Sequence, residues 1–401
     1  MRCLLVTLEY NYECFSGNGT LSQALVRGIT TRSTSPEEAI VDRDGAEVLV
    51  VCAKPTAAVA AERATLDSNG DVPVLYVDVP SEKWFDLSLN GAWREFAKAC
   101  EREDVRAQAQ IWAPSCVLGV DWSSKAAAEA LRLSAPYVMT TFRVFSKSDQ
   151  RHAPYEREAV AMASGVIALC RSDALYIMEC LGATRMPAII CPPLRSNVVE
   201  IAKELGHSME KRQRRYLACV VRVSQEKEPD RFVNLVEELA RRGVFKSGAL
   251  IPLMCANASI LSTSKYAQDL KARFLRCAPN GRVVEDFLNE RQLGEIFCET
   301  VLNVHPPAAD AFGMTIIEAA AFGVPSVMHR GGTVGASDLL RPGIESLEVD
   351  VLAPVPDFAN RIEQVLADPN TLVIAKRAAA RALEWDEAAY GRAMLEQLLT
   401  Y

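Results

Sequence analysis

Two carboxylates eight residues apart, Asp310 and Glu318, flank the run Ala311-Phe312-Gly313-Met314-Thr315-Ile316-Ile317. Phe-Gly reads as a turn that opens an apolar helix. With no Cβ at Gly313, the main-chain N–H groups of residues 313–315 can come close to an anion or a sugar hydroxyl. Carboxylates accept hydrogen bonds from hydroxyls. Glu318, about one turn into the helix, joins the site only if its face points there. Gly323-Val324-Pro325 stops the helix ahead of the next strand, and Arg330-Gly331-Gly332-Thr333 forms another close-approach loop.

Two further motifs fit the same chemistry. Arg222 and Lys227 stand five apart in Val221-Arg222-Val223-Ser224-Gln225-Glu226-Lys227, after a buried strand and ahead of a helix near Asp230-Arg231. Such a loop can point both cations at one diphosphate, the guanidinium as a planar fork and the ammonium as a point charge. The alternative is two surface cations paired with Glu226 and Glu228. Near the start, Ser16-Gly17-Asn18-Gly19-Thr20-Leu21 joins the first apolar run to an amphipathic helix. Glycines at Gly17 and Gly19 suit close approach of an anion to the open N–H groups of a helix start. The run is neither a full dinucleotide fingerprint nor a P-loop, and Thr20 as a plain N-cap explains part of it.

These loops need strands to hold them. Short β-branched runs fall at Arg2–Thr7, Val48–Cys52, Val74–Val77, Tyr137–Thr141, Gly165–Leu169 and Ala188–Cys191. Helical patterns at Thr20–Ile29, Trp93–Arg102 and Ser123–Leu133 alternate with them, which predicts a parallel sheet covered on both faces. Cys191-Pro192-Pro193 ends this series, and a polar stretch with the basic run Lys211-Arg212-Gln213-Arg214-Arg215 follows. A second series has strands at Leu217–Val221, Ala249–Met254, Val301–Val304 and Ser326–Met328. Its helices fall at Arg231–Arg242, Lys265–Cys277, Asn289–Glu299 and Thr315–Phe322. The expected fold is α/β: two doubly wound, Rossmann-like parallel-sheet domains facing across a cleft. The first spans 1–205, the second 206–384, and a helix over 385–401 returns to the first. Ligands of such sheets bind outside the carboxyl ends of the strands, where all three motifs lie.

Composition narrows the class. The chain has 401 residues, 49% of them apolar, with 44 Lys+Arg against 51 Asp+Glu. The acidic balance argues against a reader of nucleic-acid backbones, and the apolar content against a disordered chain. The basic run reads as a solvated helix end beside a linker, with a membrane-surface patch as the alternative. Twelve cysteines are scattered singly, and with four histidines they assemble no zinc cluster. Reduced buried thiols fit a reducing compartment. No apolar run reaches the length of a membrane span, and the opening residues read as a strand rather than a signal region. The expectation is a cytoplasmic protein, with peripheral membrane contact left open.

The segment Asn303 to Gly332 resembles the donor site of GT-B glycosyltransferases, and glycosyltransferase family four in particular. That family has two acidic residues separated by seven, with Phe-Gly after the first and Glu-Ala at the second. It also has an Arg…Lys pair opening the C-terminal domain and a glycine-rich loop after the first strand. Trp385-Asp386-Glu387 is similar to the helix that returns to the first domain. The resemblance implies a retaining, metal-independent hexosyltransferase that uses a UDP-, GDP- or ADP-sugar and no further cofactor. It implies that Arg222 and Lys227 hold the diphosphate, and that Asp310 holds the sugar with the amides of Gly313, Met314 and Thr315. Glu318 then takes the ribose. Asp310, Arg222 and Lys227 are the implied catalytic residues; Gly17, Asn18, Gly19, Thr20, Phe312, Gly313, Met314, Thr315 and Glu318 are the implied donor contacts. The acceptor is unidentified, a carbohydrate or a lipid.

Three departures stand out. Asp310 replaces the family's usual Glu and is one methylene shorter. The loop Leu118-Gly119-Val120-Asp121-Trp122 lacks the family's first-domain His, and Phe142 stands where relatives commonly place one. Asp121 suits either a sugar hydroxyl or a helix cap before Ser123. His152 reads as solvated, His305 and His329 as local packing or site lining. Arg143 and Arg195 suit either an acidic acceptor or surface pairing. These departures motivate an alternative, a degenerate GT-B protein that binds nucleotide sugar or a partner without turnover. Nucleotide-sugar epimerisation is a third use of such a fold.

Overall fold

The computed structural model describes residues 1–12, 17–30, 45–57, 64–68, 72–80, 91–209, 213–255, 264–286 and 288–401. They form two compact units: Met1–Pro193 with Glu387–Tyr401, and Leu194–Asp386.

The first unit holds strands β1 (Arg2–Thr7), β2 (Glu47–Thr56), β3 (Ala64–Asp67), β4 (Val74–Pro80), β5 (Cys116–Val120), β6 (Tyr137–Thr141), β7 (Gly165–Ala168) and β8 (Ala188–Ile189). They lie in the order β3-β4-β2-β1-β5-β6-β7-β8, all parallel except β3 against β4. β1 is buried from Cys3 to Thr7 without alternation, because helices cover both faces of the sheet. Those helices are α1 (Gly17–Thr30), α2 (Ala92–Cys100), α3 (Glu103–Trp112), α4 (Lys125–Ala130), α5 (Ala153–Met162) and α6 (Arg171–Leu181). From β1 the chain winds outward through β2 and β4, then returns to β5 on the other side of β1. The loops after β1 and β5 therefore meet at a topological switch point.

The second unit holds α7 (Ser196–Met209), β9 (Tyr216–Val220), α8 (Pro229–Arg241), β10 (Ile251–Cys255), α9 (Lys265–Cys277), β11 (Arg282–Val284), α10 (Glu290–Cys298), β12 (Thr300–Val304), α11 (Met314–Ala321), β13 (Ser326–His329), β14 (Leu347–Val349), α12 (Val355–Ala367) and α13 (Asn370–Glu384). Its sheet is parallel in the order β11-β10-β9-β12-β13-β14, so its switch point lies between β9 and β12.

The last helix, α14 (Glu387–Leu398), packs on α1 within the first unit. Gly28 and Gly391 let the two backbones touch: a Cβ on Gly391 would stand 2.0 Å from the Gly28 carbonyl oxygen. Beside them Arg27 Nη2 lies 2.7 Å from the Oε1 of Glu387, a carboxylate that is otherwise buried.

Several sequence expectations change. The Gly17–Thr20 run is the first turn of α1 rather than a loop before it, so Thr20 is not the N-cap. Leu118-Gly119-Val120 belongs to β5, not to a loop; Gly119 is buried where a Cβ would meet the Tyr137 hydroxyl at 2.5 Å. The stretch read as a linker is largely α7, whose contacts with α10 and α11 place it in the second unit. That unit begins at Leu194, ahead of the expected division at 205/206. In the basic run, Lys211 and Arg212 lie outside the described residues. Arg214 is neither solvated nor a surface patch: it donates to the carbonyls of Thr300, Phe322 and Gly323 and so caps the carboxyl end of α11. Arg215 pairs with Glu299. β3, β11 and β14 are short edge strands with no alternation to announce them.

Candidate functional site

At the switch point of the second unit, two loops are held together by their own residues. After β9 the chain passes through a tight turn at Gln225–Lys227 and reaches Glu228, in the left-handed region at φ 47°, before Pro229 opens α8. The Glu228 carboxylate pairs with Arg231 and accepts the Ala308 N–H at 2.7 Å, which fastens this loop to the one after β12. The strand-like pairing of Asp310 with Val334 fixes the second loop: Asp310 N donates to Thr333 O, and Gly335 N to Asp310 O, each at 3.1 Å.

Lys227 and Asp310 meet across this junction. Lys227 Nζ lies 2.8 Å from both carboxylate oxygens, and His305 Nε2 lies 3.1 Å from Oδ2. A carboxylate can only accept, so Nε2 carries the proton. His305 is buried, and its Nδ1 has no partner among the described residues. The Asp310 side chain is 7% exposed. Burial works against its ionisation, but the His305 hydrogen bond and the Lys227 charge more than offset that. The carboxyl is held well below the usual carboxylate range.

Gly313 makes the turn into α11 at φ 89°, a conformation costly for a side chain. A Cβ there would also come 2.9 Å from Ile316 Cδ1 and 3.3 Å from His305 Nε2. Phe312 is buried and its carbonyl accepts from Ala336 N at 2.8 Å. Met314 and Thr315 are half-buried, and their N–H groups, in the first turn of α11, have no intrahelical acceptor. Glu318, further along the same helix, is buried and bonds Arg195 at 3.0 Å.

Of the sequence-derived residues, the structure thus gathers Lys227, Asp310, Phe312, Gly313, Met314, Thr315 and Glu318 on adjoining loops and one helix. Arg222 is on the same β9 loop but pairs with Glu226, as the surface reading expected. Lys227 does not pair with Glu228, which that reading also expected. Gly17, Asn18, Gly19 and Thr20 lie at the switch point of the other unit.

There Asp121 is the central group. Its backbone is strained at φ 56°, ψ 172°. Its side chain makes no helix cap; Oδ1 accepts from Phe142 N at 2.6 Å, and Oδ2 from Asn18 Nδ2 at 2.7 Å. Burial pushes the carboxyl up to about 7, against the pull of the Phe142, Arg143 and Asn18 donors. His152 is not solvated but sits beside Trp122 and Phe145, with ring centroids 5.5 and 5.4 Å away. His329 Nδ1 accepts from Val351 N.

His305 and Arg195 are the polar residues whose contacts the sequence did not disclose. For His305, its position five residues before Asp310 at a strand end was the available signal. Among the described residues there is no group of three or more His, Cys, Asp or Glu able to hold a metal ion, and no helix long and apolar enough to cross a membrane.

Residues 214–368 match the family model described as Glycosyl transferases group 1, a span that contains Lys227, Asp310, Gly313 and Glu318. Sucrose-phosphate synthase from Thermosynechococcus elongatus is similar in structure with a TM-score of 0.70 at 14% identity, over 100% of this chain and 98% of that one. HepE of Anabaena, in complex with UDP and glucose, gives a TM-score of 0.69 at 16% identity, over 100% of both chains. The UDP-forming alpha,alpha-trehalose-phosphate synthase from Burkholderia xenovorans, in complex with glucose-6-phosphate, gives 0.71 at 11% identity, again over 100% of both. The chain therefore has the two-unit GT-B fold of glycosyltransferases, and its second unit resembles the group 1 family. Among curated proteins there is no match.

Proposed function

We propose that this chain is a retaining glycosyltransferase that moves a hexosyl group from a nucleoside diphosphate sugar to a hydroxyl of a carbohydrate or lipid acceptor. The observation that carries the proposal is the Lys227–Asp310–His305 cluster at the β9/β12 switch point, beside the open amides of α11. In this reading the bond from the sugar's anomeric carbon to the diphosphate breaks and its electron pair leaves with the diphosphate. The acceptor oxygen bonds the same carbon on the same face and passes its proton to the departing diphosphate. Lys227 and Arg222 stabilise the charge that develops on the diphosphate, the kind of electrostatic stabilisation that dominates many enzymes. Arg222 turns from Glu226 to do so. Asp310 and the amides of Gly313, Met314 and Thr315 hold the sugar, Phe312 supports their turn, and Glu318 takes the ribose. The resemblance to glycosyltransferase family four assigns Gly17, Asn18, Gly19 and Thr20 of the first unit to donor binding. Two cations supply the charge, so the reaction is metal-independent. The free cysteines, most of them buried, suit a reducing cytoplasm.

Thermal shift against UDP, GDP and ADP and their hexose conjugates tests the donor site. A ligand at one hundred times its Kd stabilises the folded state by about 2.7 kcal/mol. A shift with one nucleotide series supports the site and names its base; no shift at millimolar ligand overturns it. NMR of the product's anomeric proton then tests retention, and turnover in EDTA tests metal independence.

One observation favours a second reading. Both oxygens of Asp310 are already engaged, and Arg222 is paired with Glu226. A protein that binds the nucleotide sugar without transferring it would show the thermal shift but no product with any acceptor.

A further inference from the structure

Arg195 is a cation that the proposed reaction leaves without a role. It stands just ahead of α7, where its carbonyl accepts the N–H groups of Val198 at 2.9 Å and Val199 at 3.0 Å. Its guanidinium lies between two carboxylates: Nη1 is 2.7 Å from Glu290 Oε1, and Nη2 is 3.0 Å from Glu318 Oε1. Glu290 is the first residue of α10 and is itself anchored by the Asn289–Gln292 capping box. The planar fork therefore ties Glu318 to the start of a second helix. It holds one carboxylate oxygen and leaves Oε2 without a hydrogen-bond partner among the described residues. One guanidinium between two carboxylates also leaves a net negative charge. Such a cluster repels an anion and welcomes a hydroxyl donor.

We infer that Arg195 is a positioning residue: it clamps Glu318 through Oε1 so that Oε2 faces a ribose hydroxyl of the bound nucleotide. The inference rests on the donor-site reading above and adds a specificity to it, preference for ribose over deoxyribose. The two carboxylates that Arg195 already holds argue against the other use open to it, an acidic ligand. Without the fork, Glu318 is free to change rotamer or turn to other partners, and the preference disappears even where the diphosphate still binds.

Calorimetric titration of the full chain with UDP, GDP and ADP, and with the 2′-deoxy and 3′-deoxy form of each, provides the test. A hydrogen bond to a charged group implies that the wild type binds one deoxy form about tenfold more weakly than its ribose parent. Arg195→Met and Glu318→Gln should each reduce that ratio to below about twofold. If Arg195→Met does not fold, Arg195→Lys serves, because it keeps the charge but not the two-armed geometry. A ratio of affinities is insensitive to a general loss of stability, which would weaken both nucleotides alike. If Arg195→Met, or Arg195→Lys in its place, keeps the full discrimination while Glu318→Gln loses it, the inference fails and the donor site stands. A wild type that binds nucleotides without discrimination overturns the inference and the ribose role of Glu318. A wild type that binds none of them overturns the donor site itself.

Discussion

Replacing Lys227 by Met removes the cation 2.8 Å from both oxygens of Asp310 and keeps most of the side-chain volume. The Asp310 carboxylate, 7% exposed, would then sit in the fold with His305 as its remaining hydrogen-bonded side-chain partner. Removing one member of a buried ion pair costs roughly 3–5 kcal/mol; Lys227 is 24% exposed, which argues for the lower end, about 3 kcal/mol. For a unit of this size each kcal/mol lowers Tm by about 2–4 °C, so the expected loss at pH 7 is roughly 6–12 °C. The sign of its pH dependence follows from linkage. In the wild type the Asp310 carboxyl is held below its ordinary range, so its pairing stabilises the fold above about pH 4 and is lost only in stronger acid. In the variant the Lys227 charge and hydrogen bonds no longer offset burial, so the same carboxyl moves upward. Protonation then relieves the buried charge, and the Tm gap narrows as pH falls from 7 towards 4. Asp310→Asn in the Lys227→Met background should recover part of the loss, with a coupling of about 1–3 kcal/mol. Thermal melts of the wild type, both single variants and the double variant at pH 7 and 4.5 give every term. A gap that does not change with pH, or strictly additive losses, would refute the pairing on which the site is built.

Gly313→Ala should cost about 1–2 kcal/mol from the left-handed backbone alone, and its methyl would press on Ile316 and His305; melts together with nucleotide titration should show losses of both stability and binding. Gly391→Ala puts a Cβ 2.0 Å from the Gly28 carbonyl oxygen and should destabilise the first unit by roughly 1–3 kcal/mol or more, read from the melt, because backbone rather than a flexible side chain must give way. Asp121→Asn tests the raised carboxyl at the first switch point. The wild type should lose stability as pH rises from about 4 through about 7, since the fold favours the protonated form. The non-titrating amide should abolish that slope, so the Tm of the variant gains on the wild type between pH 5 and 8; parallel profiles would remove Asp121 as the cause.

The periodicity of the chain was informative where burial is complete. Arg2–Thr7, Tyr137–Thr141 and Lys265–Cys277 fall on the expected residues, because a strand buried on both faces, or a helix with one apolar stripe, leaves an unambiguous local pattern. β5 was hidden by a glycine at its fourth position, Gly119, which fits there because Tyr137 and Ser124 fill the space of a side chain. The Lys203–Arg215 stretch read as linker because its polar residues outweighed the apolar stripe of α7, and because Arg214 serves main-chain carbonyls that no local pattern announces.

By itself, the sequence determined that two parallel-sheet series follow one another and which loops carry the polar residues, since strand, turn and helix-start preferences are local. It also determined the Phe-Gly turn, because only glycine takes that backbone conformation without strain. The tertiary structure decided the pairings. Lys227 and Asp310 are 83 residues apart and meet only because β9 and β12 are neighbours at the point where the sheet order reverses. Arg222 lies on the same loop as Lys227, yet Glu226 takes it. His305 was an undistinguished histidine before a proline until the β12 loop turned its ring onto Asp310, and Arg195 a solitary cation until three helices set two carboxylates against it. Such contacts depend on strand order, helix docking and rotamer, and these are properties of the packed chain rather than of any segment of it.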